Sequence, residues 1–318
     1  MATAHSSRGG GCPSWGGALV RVERCPLCAA AGGRPVAARR DGLRIRECSS
    51  CGLAFVDPKP SPDAIAAYYD SAYFTGGKDF HRGHDYIAGS SQTYQEETAT
   101  GFRELAKSVE LAGKSVLEVG CGAGALLALA RKHGAGSVKG YDLSRAATEF
   151  GKAQFGLDLV CGRVEDGVGE ARAYDVVVMI DVIEHFYDLR KAMEVIRAVL
   201  RDEGTVYFVT PNWWGYHYAG AKWIGLEKDF EHLQYFSEQS VDRLAAAFGL
   251  RKVSVRTEGA PIALWQYQVG AGSSKRWRRL LAEPPTALRN GCSKLRFGIA
   301  NALHGHQLGH NLHCVLRA

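Results

Sequence analysis

The chain has 318 residues, of which 46% are hydrophobic and 23% charged, and a formal net charge of +6. This balance excludes a collagen-like, a mainly disordered or a disulfide-knotted chain, and at ~150 residues per domain it predicts about two domains. The charge is uneven: residues 271–318 carry eight Lys and Arg against Glu283 alone, which leaves the rest nearly neutral. Nucleic acid, an anionic membrane surface and an anionic substrate are the partners such a basic part can serve.

Residues 1–21 read as a flexible tail, Gly- and Ser-rich and without the apolar run of a secretory leader. The late uncharged stretch from Phe297 to Leu316 contains His304, His306, His310 and His313, which excludes a membrane span. The expectation is a soluble, cytoplasmic protein.

Four of the nine cysteines form two tight pairs, Cys25-Pro-Leu-Cys28 and Cys48-Ser-Ser-Cys51. The spacing C-x2-C-x19-C-x2-C lets two knuckles present four thiolates to one tetrahedral ion. All four positions are sulfur, so the predicted zinc at Cys25, Cys28, Cys48 and Cys51 is structural, and residues 22–58 read as a zinc ribbon. Asp57-Pro58-Lys59-Pro60-Ser61-Pro62 then forms a stiff linker. Ser61 caps a helix that runs past Tyr68, Tyr69 and Tyr73, and a second helix covers Tyr94 to Leu111. Together residues 59–112 form a helical linker or lid.

From Gly113 onward β-rich runs alternate with helical ones. Strands are expected at Ser115–Val119, Ser137–Tyr141, Leu157–Cys161, Tyr174–Ile180 and Gly204–Val209, with helices at Ala123–His133, Ser144–Phe155 and Leu189–Arg201. This is the pattern of βαβ units and a parallel sheet covered on both faces. A helix at Ser237–Phe248 and strands at Arg251–Arg256 and Asn311–Leu316 complete the core. Residues 258–310 read as a basic insertion before the last strand, 311–318.

The chemistry centres on Glu118-Val-Gly-Cys-Gly-Ala-Gly124, a strand ending in a glycine-rich turn that opens a helix. Glycines allow close approach to a ligand, and the helix N-terminus offers free N–H groups. Asp142 ends the next strand, where an acid can accept both hydroxyls of a ribose. Gly120-x-Gly122-x-x-Ala125 also fits the relaxed dinucleotide fingerprint. Three features favour S-adenosylmethionine: Glu118 placed to hold an ammonium group, the third glycine at 124, and the downstream segment Asp181-Val-Ile-Glu184-His185.

With Gly140-Tyr-Asp142, Thr210-Pro-Asn212 and Glu231-His-Leu-Gln-Tyr-Phe-Ser237 added, residues 113–257 resemble a class I S-adenosylmethionine-dependent methyltransferase. The N-terminal part resembles the zinc module carried by a subset of bacterial methyltransferases. The resemblance implies an α/β, Rossmann-like, mostly parallel seven-stranded sheet with helices on both faces, plus the small ribbon. It implies that Glu118 and the turn Gly120, Gly122, Gly124 hold the methionine part of the cofactor. Asp142 takes the ribose, Leu143 lies beside the adenine, Val164 and Glu165 frame it, and Asp181 lies beside the sulfonium.

Glu184, His185 and His232 are the candidate catalytic residues, with a histidine as general base. Similar segments in the ubiquinone and small-RNA branches imply an alternative, a divalent ion held by Asp181, Glu184, His185 and His232, which converge if the chain turns helical after Ile180. The aromatic run Trp213-Trp214-Gly-Tyr216-His-Tyr218 with Trp223 is either an acceptor-side wall or a packed cap over the sheet edge. The basic segment Lys275-Arg276-Trp277-Arg278-Arg279 suits an anionic membrane or RNA as well as a solvated helix. His304 to His313 reads as a loop entering an edge strand.

The expected reaction is methyl transfer to a small or medium molecule (a sugar, polyketide, quinone or lipid-linked intermediate), on oxygen. The alternative is an RNA methyltransferase that binds RNA with the zinc ribbon and grips phosphates with the basic C-terminal part, although the ribbon, with Arg39, Arg40, Arg44 and Arg46 as its main cations, has no run of basic and aromatic residues for base stacking.

Overall fold

The computed structural model describes residues 15, 19–68, 92–227, 230–258 and 310–318. Most of the expected tail, Tyr69 and Tyr73, and the basic insertion with His304 and His306 lie outside the described residues.

The N-terminal part contributes β1 (Leu19–Val20), β2 (Arg34–Ala38), β3 (Arg44–Glu47), β4 (Ala54–Val56), β5 (Lys59–Pro60) and α1 (Pro62–Tyr68). The Ser61 hydroxyl accepts from the Ala64 N–H at 3.2 Å, so α1 starts where the Ser-Pro pair sets it. α2 (Gln92–Ser108) follows and stops three residues before the expected end. Ser108 turns its hydroxyl back onto the Glu104 carbonyl at 2.9 Å, a local bond that competes with helix continuation.

The core then alternates β6 (Ser115–Val119), α3 (Ala125–Lys132), β7 (Ser137–Asp142), α4 (Arg145–Phe155), β8 (Asp158–Cys161), β9 (Tyr174–Ile180), α5 (Leu189–Val199) and β10 (Leu200–Pro211). After β10 come α6 (Trp214–Ala219), α7 (Ile224–Glu227), β11 (Gln234–Tyr235), α8 (Glu238–Ala247), β12 (Arg251–Glu258) and β13 (Asn311–Arg317). Ser144, Asp188 and Ser237 each cap a helix by accepting an N–H from the first turn.

Seven strands form one sheet in the order β12-β13-β10-β9-β6-β7-β8. It is parallel from β10 to β8, and β13 runs antiparallel to both of its neighbours. The strand entered from His310 is therefore internal, and β12 is the edge. β10 begins at Leu200, four residues before the expected start. Leu200 takes an extended conformation and pairs with Tyr174, which ends α5 at Val199. The helical periodicity through Arg201 concealed this, because the first glycine comes only at Gly204.

Two hydrophobic clusters sandwich the sheet. One face packs Phe102 and Leu105 of α2 and Leu126, Leu127 and Ala130 of α3. The other packs Leu189, Met193 and Ile196 of α5 and Val241 and Leu244 of α8. Cys25, Leu27, Cys48, Cys51, Leu53 and Phe55 belong to this second cluster. The cysteine-bearing region thus shares its core with the sheet.

A second sheet, ordered β11-β4-β3-β2, makes the joint explicit. β2, β3 and β4 come from the N-terminal region, and β11 comes from the residues after α7. Gln234 pairs with Phe55 and Tyr235 with Ala54. Arg190 on α5 donates to the Leu27 carbonyl at 2.8 Å, and Lys59 donates to the Tyr187 carbonyl at 2.7 Å. Among the described residues no helix is long and apolar enough to cross a membrane.

Candidate active site

The carboxyl ends of β6, β7, β9 and β10 form one edge, where open α/β sheets bind ligands. At the end of β6 the chain enters the glycine turn. Gly120 has φ 74°, and a Cβ there would lie 2.3 Å from the Val182 side chain. Gly124 has φ 78° and precedes α3, and a Cβ on it would lie 2.7 Å from Leu157. Only glycine satisfies both the left-handed backbone and the close packing. The turn is tied to β7: Gly120 N–H donates to the Tyr141 carbonyl at 2.7 Å, and Gly122 N–H to an Asp142 carboxylate oxygen at 2.7 Å. Asp142 also accepts from the Ser144 N–H at 2.8 Å. Burial raises the Asp142 carboxyl against the N–H bonds that lower it.

Glu118 is buried directly below the turn, and its Oε2 has no hydrogen-bond partner within the protein. Burial pushes its carboxyl well above the ordinary range, and the nearby Asp142 adds to the shift. A buried acid with an unmatched oxygen is complementary to a cation. Leu143 is exposed beyond Asp142, while Val164 and Glu165 are buried on the short turn after β8.

The second part of the edge follows β9. Asp181 stands at φ 53° and is exposed, and the chain forms a single tight turn at Ile183–His185. The left-handed residue breaks the helical spacing on which convergence of Asp181 with Glu184 and His185 depended. The group that forms is Glu184, His185 and His232, whose candidate ligand atoms lie within 4.8 Å of one another. His232 Nε2 is 3.9 Å from a Glu184 oxygen, and the two imidazoles stand edge to face at 4.8 Å. Thr210 at the end of β10 donates to the other Glu184 oxygen at 3.0 Å. Gln234 donates to the Phe186 carbonyl at 2.6 Å, and Leu233 N–H to the Glu184 carbonyl at 2.9 Å. These bonds hold the 231–235 segment against the turn.

The aromatic run is a packed cap. Trp213 and Trp223 are buried with Trp15, Ile45, Val56 and Tyr235, and the Trp213 indole N–H donates to Glu47 of β3 at 3.0 Å. Only Trp214 of the described tryptophans is notably exposed. Sequence reading missed this joint, because nothing local in Trp213 or Glu47 marks a partner 166 residues away.

The four sulfurs of Cys25, Cys28, Cys48 and Cys51 also lie within 4.8 Å of one another, with Cys25–Cys51 at 3.5 Å and Cys28–Cys48 at 3.6 Å. With Zn–S bonds of about 2.3 Å, a tetrahedral zinc site places its sulfurs about 3.8 Å apart. The donor set and spacing fit that ion. Two of the ribbon's main cations are held internally: Arg39 pairs with Asp41, and Arg46 with Asp57 at 2.8 Å.

Residues 92–255 match a family model described as a methyltransferase domain. The chain is 34% identical over 110 residues to the ubiquinone biosynthesis O-methyltransferase of Neisseria meningitidis, covering 32% of this chain and 46% of that protein. It is 27% identical over 166 residues to the enzyme of the same name from Coxiella burnetii, covering 48% and 70%. The chain thus spans about half the length of the first relative. Among solved structures, an S-adenosylmethionine-dependent methyltransferase from Archaeoglobus fulgidus aligns over 78% of this chain and 100% of its own, at 14% identity and a TM-score of 0.49. The family match covers a little over half of the 318 residues, and with the sheet and the glycine turn it makes the protein a class I S-adenosylmethionine-dependent methyltransferase.

Proposed function

We propose that the protein methylates a hydroxyl oxygen of a small quinone-type or phenolic acceptor. The Glu184–His185–His232 group at the strand edge carries this reading, and the two relatives, both ubiquinone biosynthesis O-methyltransferases, support the acceptor class. Bound S-adenosylmethionine supplies an electrophilic methyl carbon. Glu118 and the turn Gly120, Gly122 and Gly124 hold its methionine part, the unmatched Glu118 oxygen meeting the ammonium. Asp142 accepts the ribose hydroxyls, Leu143 covers the adenine, Val164 and Glu165 frame it, and Asp181 lies near the sulfonium end. His185 or His232 takes the acceptor's proton, and Glu184 orients the imidazoles and stabilises the charge they gain. Alignment of the hydroxyl is the larger contribution.

The Cys25, Cys28, Cys48 and Cys51 site holds a structural zinc. A second reading of the Glu184 group is a divalent ion on Glu184, His185 and His232, favoured by the 4.8 Å spacing of their donor atoms. Such an ion would polarise the hydroxyl. Restoration of chelator-treated enzyme by magnesium or manganese supports that reading, and full activity in chelator removes it. The RNA alternative loses two of its four ribbon cations to internal pairs.

The test uses methyl-labelled S-adenosylmethionine with catechol and hydroquinone probes. Label should appear as the methyl ether. His185→Ala should cut turnover by more than about tenfold and leave S-adenosylhomocysteine affinity nearly unchanged. Unchanged turnover removes His185 from the mechanism, and transfer to sugars but not to phenols removes the acceptor class.

A further inference from the structure

Arg39 lies in the turn between β2 and β3, and its side chain and that of Asp41 are fully buried. Its Nε and one terminal nitrogen both donate to the Asp41 carboxylate. Asp41 is itself braced by the Trp15 indole N–H at 2.8 Å and the Leu43 N–H at 3.2 Å. The remaining terminal nitrogen donates at 2.7 Å to the carbonyl of His232, 193 residues away.

A buried ion pair is weak evidence for stability, because desolvation offsets most of its attraction. What this pair does geometrically is narrower. Besides meeting the Tyr235 side chain, it fixes one peptide group, whose carbonyl belongs to His232. The next residue is gripped on both sides: Leu233 N–H, in the same peptide group as the His232 carbonyl, donates to the Glu184 carbonyl at 2.9 Å, and the Leu233 carbonyl accepts from Val56 N–H of β4 at 2.9 Å. His232 is thus suspended between the N-terminal sheet and the turn that carries Glu184 and His185.

We propose that Arg39 is a positioning residue: with its guanidinium clamped by Asp41, it sets the His232 backbone so that the imidazole stays against Glu184 and His185. The inference rests on the reading that His232 takes part in transfer. Only arginine fits the post, because its planar fork serves a carboxylate and a carbonyl at once, whereas lysine has a single flexible ammonium. A displacement of about 1 Å in a reacting group can cost about a hundredfold in rate.

The test is Arg39→Lys in the full chain, which keeps the buried charge. Expected are an intact thermal transition, S-adenosylhomocysteine affinity within about twofold, and a transfer rate at saturating donor lower by about tenfold or more. In the histidine side-chain 1H–15N spectrum the His232 signal, assigned by its loss in His232→Gln, should shift or broaden. The signal of His133, which ends α3 and lies tilted against Phe102 at 4.9 Å, should not move. Wild-type transfer with an unmoved His232 signal overturns the proposal.

If Arg39→Lys fails to fold, Trp15→Phe removes the brace on Asp41 while keeping an aromatic ring against Tyr68. It should move the same signal and slow transfer by about two- to fivefold, and an unmoved signal overturns the proposal. His232→Gln separates the layers. If it transfers normally, the role of His232 fails and the inference with it. If it loses transfer while Arg39→Lys does not, the inference alone fails.

Discussion

The two halves of the strand edge are built in opposite ways. The proposed cofactor side is local: Glu118, the glycine turn and Asp142 lie within 25 consecutive residues, and their bonds join neighbouring strands. The proposed acceptor side is assembled from afar: Glu184 and His232 from separate segments, Arg39 and Val56 from the N-terminal sheet, Thr210 from β10. A local site can be read from a motif and survives changes elsewhere in the fold. An assembled site depends on every segment that contributes to it, so on the proposed reading the cysteine-bearing region supports methyl transfer.

The largest effect should come from breaking the assembled half at its root. Structural zinc sites contribute about 10–16 kcal/mol in small zinc peptides, so Cys48→Ser should lose the metal, lower the melting temperature markedly and abolish transfer. Zinc-free protein that melts and transfers like wild type would show that the two halves are independent.

The next effect belongs to the local half. Glu118→Gln removes a buried charged partner of the cofactor, and a charged hydrogen bond of up to about 3 kcal/mol corresponds to about a hundredfold in affinity for S-adenosylhomocysteine. Stability should move the other way. The folded carboxyl titrates above its ordinary value, so its contribution to stability is full at low pH and is lost as pH rises through the raised folded value. The unliganded Glu118→Gln protein should therefore gain stability over wild type as pH rises, read by thermal melts across pH. Cofactor affinity of wild type should fall as pH drops and Glu118 protonates. A variant with unchanged affinity would remove Glu118 from the cofactor site.

The smallest effect sharpens the joint. Trp213→Phe loses the indole bond to Glu47 and part of a buried ring and should cost about 1–3 kcal/mol, read as a lower melting temperature, with cofactor affinity unchanged.

The same contrast explains what the sequence made legible. The strands from Ser115 to Ile180, the glycine turn and the helix starts at Ser61 and Ser237 follow from local chemistry and stand where the sequence pattern places them. The start of β10 was hidden by helical spacing through Arg201. Asp181 was drawn into the histidine group by a helical assumption that its left-handed backbone breaks. The pairing of β4 with β11, the Arg39–His232 bond and the packing of Trp213 on the N-terminal sheet connect residues more than 160 positions apart. No local periodicity records such contacts, and so an aromatic run that suits an acceptor wall proved to be an internal joint.

The most direct test of the account is label transfer from methyl-labelled S-adenosylmethionine into an extract of the source cells, followed by partition of the products. The account predicts RNase-resistant label in an organic-soluble small molecule, lost in His232→Gln. Label that disappears on RNase treatment would contradict it.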